Sequence, residues 1–300
     1  MTSSIAPGAP GWDARQAAAV AEFSEAHAYV ALARAAARDA EAAPVTISPL
    51  ADGIALRCPG DRSSTLFNRV LGLGLTYTFN EATAEAVAAR FADHQGPWGL
   101  ELAPVATHER ARVMLKLLRL RRSLPTVMLA MDCAALPHEQ PSTWRVERVG
   151  SDRTGIAADI VTRVFGISGP TARILRSAPS SSEFAQWVAF DGAHPVATCL
   201  THVHDDTAWF GWSATLPSHR GRGLQTALLW HSVRDAGERG CRWMTAETAT
   251  GTVDSPDASF RNMLRFGFFE LYRRHGYLCL PKRRPASGPR PTSGWALSKF

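Results

Sequence analysis

The stretch that most constrains this chain is Ser218–Gln225, SHRGRGLQ, set between an apolar strand-like run, Ala208–Leu216, and an apolar helical run beginning TALLWHSV. A strand that feeds a glycine-bearing turn at a helix start leaves the first helical N–H groups without internal partners, at the positive end of the helix dipole. Such a turn suits an anion. Gly221 and Gly223 permit close backbone approach or a positive φ, and Arg220 and Arg222 add charge-assisted donors. No Gly-Lys-Ser/Thr closes the turn, which excludes a Walker loop. Thr226 stands where a dinucleotide fingerprint needs its third glycine. The setting reads as phosphate binding, against the bland alternative of a glycine-rich turn that merely starts a helix.

Around this loop the chain alternates. Residues 12–41 are Ala-rich and free of internal Gly and Pro, and predict a helix stopped by Pro44. Strands are expected at Ile54–Cys58, Leu66–Leu75, Trp98–Ala103 and Thr126–Met131. Helices capped by Asn80 and Thr107 are expected between them, the second with Val113, Leu117 and Leu120 at helical spacing. That order predicts a mainly parallel α/β unit. Leu136–Thr143, LPHEQPST, is the best domain boundary. Beyond it come a strand (144–149), two helical stretches within 152–177, and a three-strand meander turning at Asp191-Gly192 and Asp205-Asp206. Helix (222–239), strand (242–247), helix (256–265) and strand (270–280) follow. Four segments result: an N-terminal helical segment (1–45), an α/β domain (46–136), a second α/β domain (142–280) and a disordered basic tail (281–300).

A net charge of +6 arises almost wholly from arginine, since the lysines are Lys116, Lys282 and Lys299 alone. The charges are scattered, and no helix-turn-helix, zinc-finger or RNP-type pattern makes nucleic acid a partner. Five widely spaced cysteines show no CxxC pair and no metal spacing, so reduced thiols, no metal and a cytoplasmic setting are expected. The N-terminal Ala-rich stretch carries charges throughout, unlike a signal peptide or a membrane span.

The loop resembles motif A of the GCN5-related N-acetyltransferase (GNAT) superfamily, Arg/Gln-x-x-Gly-x-Gly/Ala, here Arg220-x-x-Gly223-x-Gln225, with Gln225 in place of the final small residue. The resemblance extends over residues 142–280 in element order, and Asn262–Phe268, NMLRFGF, is similar to the Gly-Phe close of the family's last motif. It implies a mixed central sheet flanked by helices, with a tandem copy as one alternative for the first half, and acetyl-CoA as co-substrate. The pyrophosphate would rest on the amides of Arg222, Gly223, Leu224, Gln225 and Thr226, with Arg220 and Gly221 shaping the loop. The pantetheine arm would run along Ala214, Thr215 and Leu216. A strand amide would polarise the thioester carbonyl.

The resemblance supplies no proton-transfer group. The motif A strand, AWFGWSATL, has no carboxylate, and the family's tyrosine before the Gly-Phe pair is missing: Asn262 and Met263 stand there. From this chain alone, Glu247 at the end of the next strand is the candidate base. His202 and His204 share one strand face and read more simply as packed or solvent-facing. Tyr272 and Tyr277 are candidate acids whose plainer reading is core packing, and His231 reads as a helix residue. Trp209 and Trp212, three apart on a strand, are expected on opposite faces.

Residues 66–132 repeat the strand–helix–strand–helix–strand order found from 208 onward. The first loop of the repeat, Gly74–Asn80, lacks the arginine and paired glycines. A degenerate second copy and an unrelated α/β domain both account for it. Asn68 and Arg69 inside an apolar run need hydrogen-bond partners if buried, facing a cleft or pinning a turn. The expected function is acetyl transfer to the amine of a small molecule, enclosed by the second domain. An acyl-CoA sensing module and acetylation of a protein amine are the alternatives, and a homodimer is left open.

Overall fold

A computed structural model describes residues 11–39, 42–77, 79–136, 144–177, 182–251 and 257–280. Most of the expected boundary run at 136–143 and all of the tail at 281–300 lie outside the described residues. In chain order the first half holds α1 (Ala14–Ala36), β1 (Thr46–Leu50), β2 (Gly53–Arg57), β3 (Arg69–Leu71), α2 (Glu81–Arg90), β4 (Trp98–Leu102), α3 (Glu109–Leu117) and β5 (Arg121–Asp132). The second half runs β6 (Arg145–Val149), α4 (Thr154–Phe165), α5 (Gly169–Ser177), β7 (Phe184–Asp191), β8 (His194–His204) and β9 (Thr207–Thr215). It ends with α6 (Leu224–Glu238), β10 (Trp243–Ala249), α7 (Ala258–Phe266) and β11 (Phe269–Cys279).

The strands form one 11-stranded sheet, ordered β1-β2-β3-β4-β11-β5-β10-β9-β8-β7-β6. About the central antiparallel β5–β11 pair the two halves correspond. Strand β3 is parallel to β4 as β9 is to β10, and β4 meets β11 antiparallel as β10 meets β5. Each half thus takes one inner strand from the other. This corrects the expected mainly parallel first unit, in which only β3 and β4 are parallel. The strand beside β4 arrives from the far end of the chain, which local periodicity has no means to show.

Strand alternation sorts the faces. Val70, Leu100 and Leu102 point to α2 and α3, and Val127, Leu129 and Met131 to α6 and α7. On the opposite face Met128, Ala130, Leu271 and Tyr272 meet α1, which lies across the sheet beside α5. Asp13 and Gln16 form a capping box at the start of α1, and its alanines allow close approach to the strands.

One local expectation fails, and one open alternative is decided. Helix α3 is capped by His108, whose Nδ1 accepts from Ala111 N at 3.2 Å, rather than by Thr107, and its Val113 and Leu117 are 49% and 66% exposed. The helix is too short to bury the face that its spacing suggested. Buried Asn68 accepts from Cys58 N at 2.8 Å and donates to Asp61 O and Ser64 O, pinning the 58–64 turn. Arg69 points the other way, towards α1.

Candidate active site

Strands β9 and β10 pair only from Trp243↔Thr207 to Ala246↔Phe210, yet β9 continues to Thr215 and β10 to Ala249. A gap therefore opens between them, with the β9 backbone from Gly211 to Thr215 unpaired along its β10 side. An extended ligand arm can add to such an edge as a further strand would. At the mouth of the gap β9 bulges: Thr198 faces Ala214 but Leu200 faces Gly211, and Trp212 takes φ +52°. The extra residue reverses the alternation, so Trp209, Trp212 and Ala214 all lie on the α1 face. That corrects the expectation of opposite faces for the two tryptophans. Both rings stand near Tyr29 of α1, at 5.8 and 6.1 Å between centroids. A Cβ on Gly211 would lie 1.9 Å from the Trp209 ring, so only glycine fits there.

Beyond β9 a 3₁₀ turn, Pro217–His219, leads into the loop. Gly221 and Gly223 have φ of +74° and +77°, and Gly223 is the N-cap of α6, with no side chain capping the first turn. The amides at the start of α6 are therefore available to an outside anion. Arg220 Nε reaches Thr215 O at 3.4 Å, tying loop to strand, while Trp144 Nε1 donates to Arg222 O at 2.8 Å. Gln225, the irregular position of the motif, turns to α7: it donates to Ser259 Oγ at 2.7 Å and accepts from Asn262 Nδ2 at 3.0 Å. Thr226 Oγ1 also bonds Asn262 Oδ1. The larger residue is thus a clamp between the two helices rather than an intrusion on the loop.

Glu247 is the first β10 residue past the last β9–β10 pair, at the base of the gap, with its side chain 20% exposed. Its Oε1 accepts from Arg274 at 2.8 Å. Arg274 is fully buried and also meets Glu22 at 2.7 Å, Glu25 at 2.7 Å and Glu101 at 3.7 Å. Arg69 bonds Glu25 at 3.1 Å and lies 3.6 Å from Glu101, and the Tyr272 hydroxyl donates to Glu22 at 2.8 Å. Burial, offset only in part by the guanidiniums, raises Glu22, Glu25 and Glu101 above the usual carboxylate range. Burial also pushes Glu247 up, but Arg274 and Arg69 outweigh it and hold that carboxyl below its usual value.

Comparison with known proteins now bears on this arrangement. Residues 162–268 match the family model described as Acetyltransferase (GNAT) family. The C-terminal half carries a GNAT domain. No curated protein sequence matches the chain. Among solved structures it is similar to a GCN5-related N-acetyltransferase from Kribbella flavida, at 17% identity and a TM-score of 0.58, covering 85% of this chain and 96% of that one. It is also similar to a tandem GNAT protein from the clavulanic acid biosynthesis pathway, at 14% identity and a TM-score of 0.52, covering 89% and 98%. A conserved protein of unknown function from Staphylococcus epidermidis gives 11% identity and a TM-score of 0.57, covering 78% and 93%. At such identities these likenesses describe the fold, a mixed sheet flanked by helices.

Against the GNAT domain the first half differs where an anion would bind. Glu101 is the first β4 residue past the last β3–β4 pair, as Glu247 is on β10. The loop after β3, however, is filled from within. Asp52 accepts from the amides of Gly74 at 2.9 Å, Thr76 at 2.5 Å and Tyr77 at 3.0 Å, and Asn80 caps α2 through Thr83 N. A carboxylate of the chain itself occupies those donors. Calorimetric titration is accordingly expected to give one acetyl-CoA per chain; two equivalent sites would contradict it.

The remaining candidates lie apart from the gap or deep in packing. Tyr277 packs with α2 and α3, and His231 lies against the rings of Trp187 and Trp230. His204 lies against His27 of α1, with ring centroids 3.8 Å apart and the planes tilted by 39°. His202 is 2% exposed, and burial, reinforced by the neighbouring His204, pushes it down to about 3. The unfolded chain, whose histidine titrates near its ordinary value, therefore binds more protons between about pH 6.5 and 3. Stability should be fully present above that window and fall by about 1.4 kcal/mol per pH unit as pH drops through it. His202→Gln should flatten the acid limb of a denaturation-midpoint series; an unaltered slope would argue against a neutral buried imidazole. No described helix is long and apolar enough to cross a membrane.

Proposed function

We propose that the protein transfers an acyl group, acetyl from acetyl-CoA, to a primary amine of a small molecule by direct attack on the thioester. The carrying observation is the unpaired β9 edge, Gly211–Thr215, leading straight to the uncapped start of α6. In this reading the amides of residues 222–226 take the pyrophosphate, with Arg220 and Arg222 adding charge, and Ala214–Leu216 receive the pantetheine arm by main-chain hydrogen bonds. A β9 amide near the bulge polarises the thioester carbonyl.

Glu247 stands where an incoming ammonium must pass, and its carboxylate supplies both a counter-charge and a first proton acceptor. The α1 face of the gap is covered by α1 itself, with Tyr29, Trp209 and Trp212 as walls, and this favours a compact amine over a polypeptide. Thiol release from acetyl-CoA, followed across a panel of small primary amines and a peptide panel, tests the reading. Turnover with small amines supports it. Acetyl-CoA binding without turnover on any amine would make the chain a sensing module instead, and turnover on peptides alone would move the acceptor to proteins.

A further inference from the structure

Resting on the acyl-transfer reading above, we infer that the acceptor's proton is taken up by the carboxylate cluster as a unit, entered through Glu247 and shared with Glu25 of α1 by way of Arg274. The geometry is a single guanidinium nitrogen common to both. Arg274 Nη2 lies 2.8 Å from Glu247 Oε1 and 2.7 Å from Glu25 Oε2. Behind them Arg274 Nη1 holds Glu22, and Arg69 bridges Glu25 and Glu101. Four carboxylates thus surround two guanidiniums. So many like charges in one buried site do not ionise independently, and protons belong to the set rather than to one residue.

Access is uneven. The side chains of Glu22 and Glu25 are 1% exposed, whereas Glu247 is 20% and Glu101 15% exposed. The charged and titratable groups acting on Glu247 are Arg274 of β11, Arg69 of β3, Glu25 and Tyr29 of α1 and Glu101 of β4. Beside Arg274 alone, Glu247 would be a weak base. When it gains a proton, however, the guanidinium is left to Glu25, a carboxylate whose charge burial otherwise disfavours, so the pair accepts more readily than Glu247 would beside Arg274 alone.

The step balances. The ammonium gives one proton to the cluster, and the nitrogen lone pair forms the C–N bond at the thioester carbon. The C–S bond then breaks, and the departing thiolate takes the second nitrogen proton. Glu25 acts through Glu247 and is a positioning residue, which gives the N-terminal half a part in the chemistry.

The test pairs a pH profile with an infrared pH titration of the carboxyl bands, both on the full chain. The profile follows thiol release from acetyl-CoA with 2-phenylethylamine as probe. Glu25→Gln removes a negative charge beside Glu247. It should shift the acid limb of kcat/KM and the Glu247 band to lower pH and lower kcat about tenfold. Its KM for acetyl-CoA should stay within about twofold, because uniform binding is untouched. Glu101→Gln, at the partly exposed end, should move both readouts the same way by less, and serves if Glu25→Gln folds poorly. The band that shifts is identified by its loss in Glu247→Gln. If limb and band stay at their wild-type positions in both variants, Glu247 works alone and the inference is overturned. The infrared arm needs no turnover, so a chain that acetylates no amine would defeat the acyl-transfer reading while the shared titration is still decided.

Discussion

Gly223→Glu is expected to abolish measurable acetyl-CoA binding while leaving the fold in place. A Cβ at this position meets no atom within 4 Å, so the side chain has room. The φ of +77° charges a non-glycine residue about 1–2 kcal/mol of local strain, too little to unfold a protein of this size. The effect on binding is far larger, for two reasons. A carboxylate at an N-cap can accept from the first-turn amides, much as Asp52 already fills the loop amides before α2 in the first half, and its charge repels the pyrophosphate. Loss of two charge-assisted hydrogen bonds, each worth about 1.5–3 kcal/mol, weakens binding by roughly 100-fold or more. Gly223→Ala is the control: it carries the strain without the charge, and should keep most of the affinity. Calorimetry decides, and a Gly223→Glu protein with wild-type affinity would show that the phosphates rest elsewhere.

The second large effect is on stability. Arg274→Met should destabilise the protein by about 3–5 kcal/mol, the range for leaving buried charge without its partner. Four carboxylates meet at this one side chain, none of its surface reaches solvent, and Arg69 alone would remain as a counter-charge. The penalty should grow with pH, since the variant raises the folded-state pKa of Glu22, Glu25 and Glu101 further and removes the guanidinium that holds Glu247 down, and a raised carboxyl contributes stability only while protonated. Arg274→Lys keeps the charge but loses the fork, so it should fall between wild type and Arg274→Met. Adding Glu22→Gln and Glu25→Gln to Arg274→Met should restore part of the loss. Denaturant midpoints at constant m-value measure all four, and additivity of the changes would exclude a coupled cluster.

The fold was legible in the sequence wherever the cause was local. The strand–turn–helix at Ser218–Gln225, the Asn80 cap and a two-residue turn between β7 and β8 follow from residues within a few positions of one another, although that turn is Gly192-Ala193, one residue on from the expected Asp191-Gly192. What escaped depends on contacts distant along the chain. The bulge that brings Trp209 and Trp212 to one face is visible only against the β8 register. Strand β1, with Pro49 inside it, lies at the sheet edge, where a missing N–H costs nothing. Glu247 was singled out from its position at a strand end, but its partners were not. Glu22 and Glu25 are three apart on a helix otherwise lined with alanine, a spacing that places both on one face. That was the available signal, and Ala-rich composition hid it by making the helix look surface-tolerant. Arg274, between Arg273 and His275, carries no local mark at all.

The placement of β11 between β4 and β5 has a consequence for how the chain is made. During synthesis β4 and β5 both emerge well before β11, the strand that joins them, which follows every other strand of the sheet. Until then β4 and β5 each present an unpaired inner edge, a state that invites mispairing. The native sheet closes through pairs separated by 139 (Phe269↔Ala130) to 181 (Cys279↔Trp98) residues, so closure is slow relative to the local hairpins. Nascent chains that stall before residue 269 should therefore depend on chaperones, and either half expressed alone would lack an inner strand of its own part of the sheet.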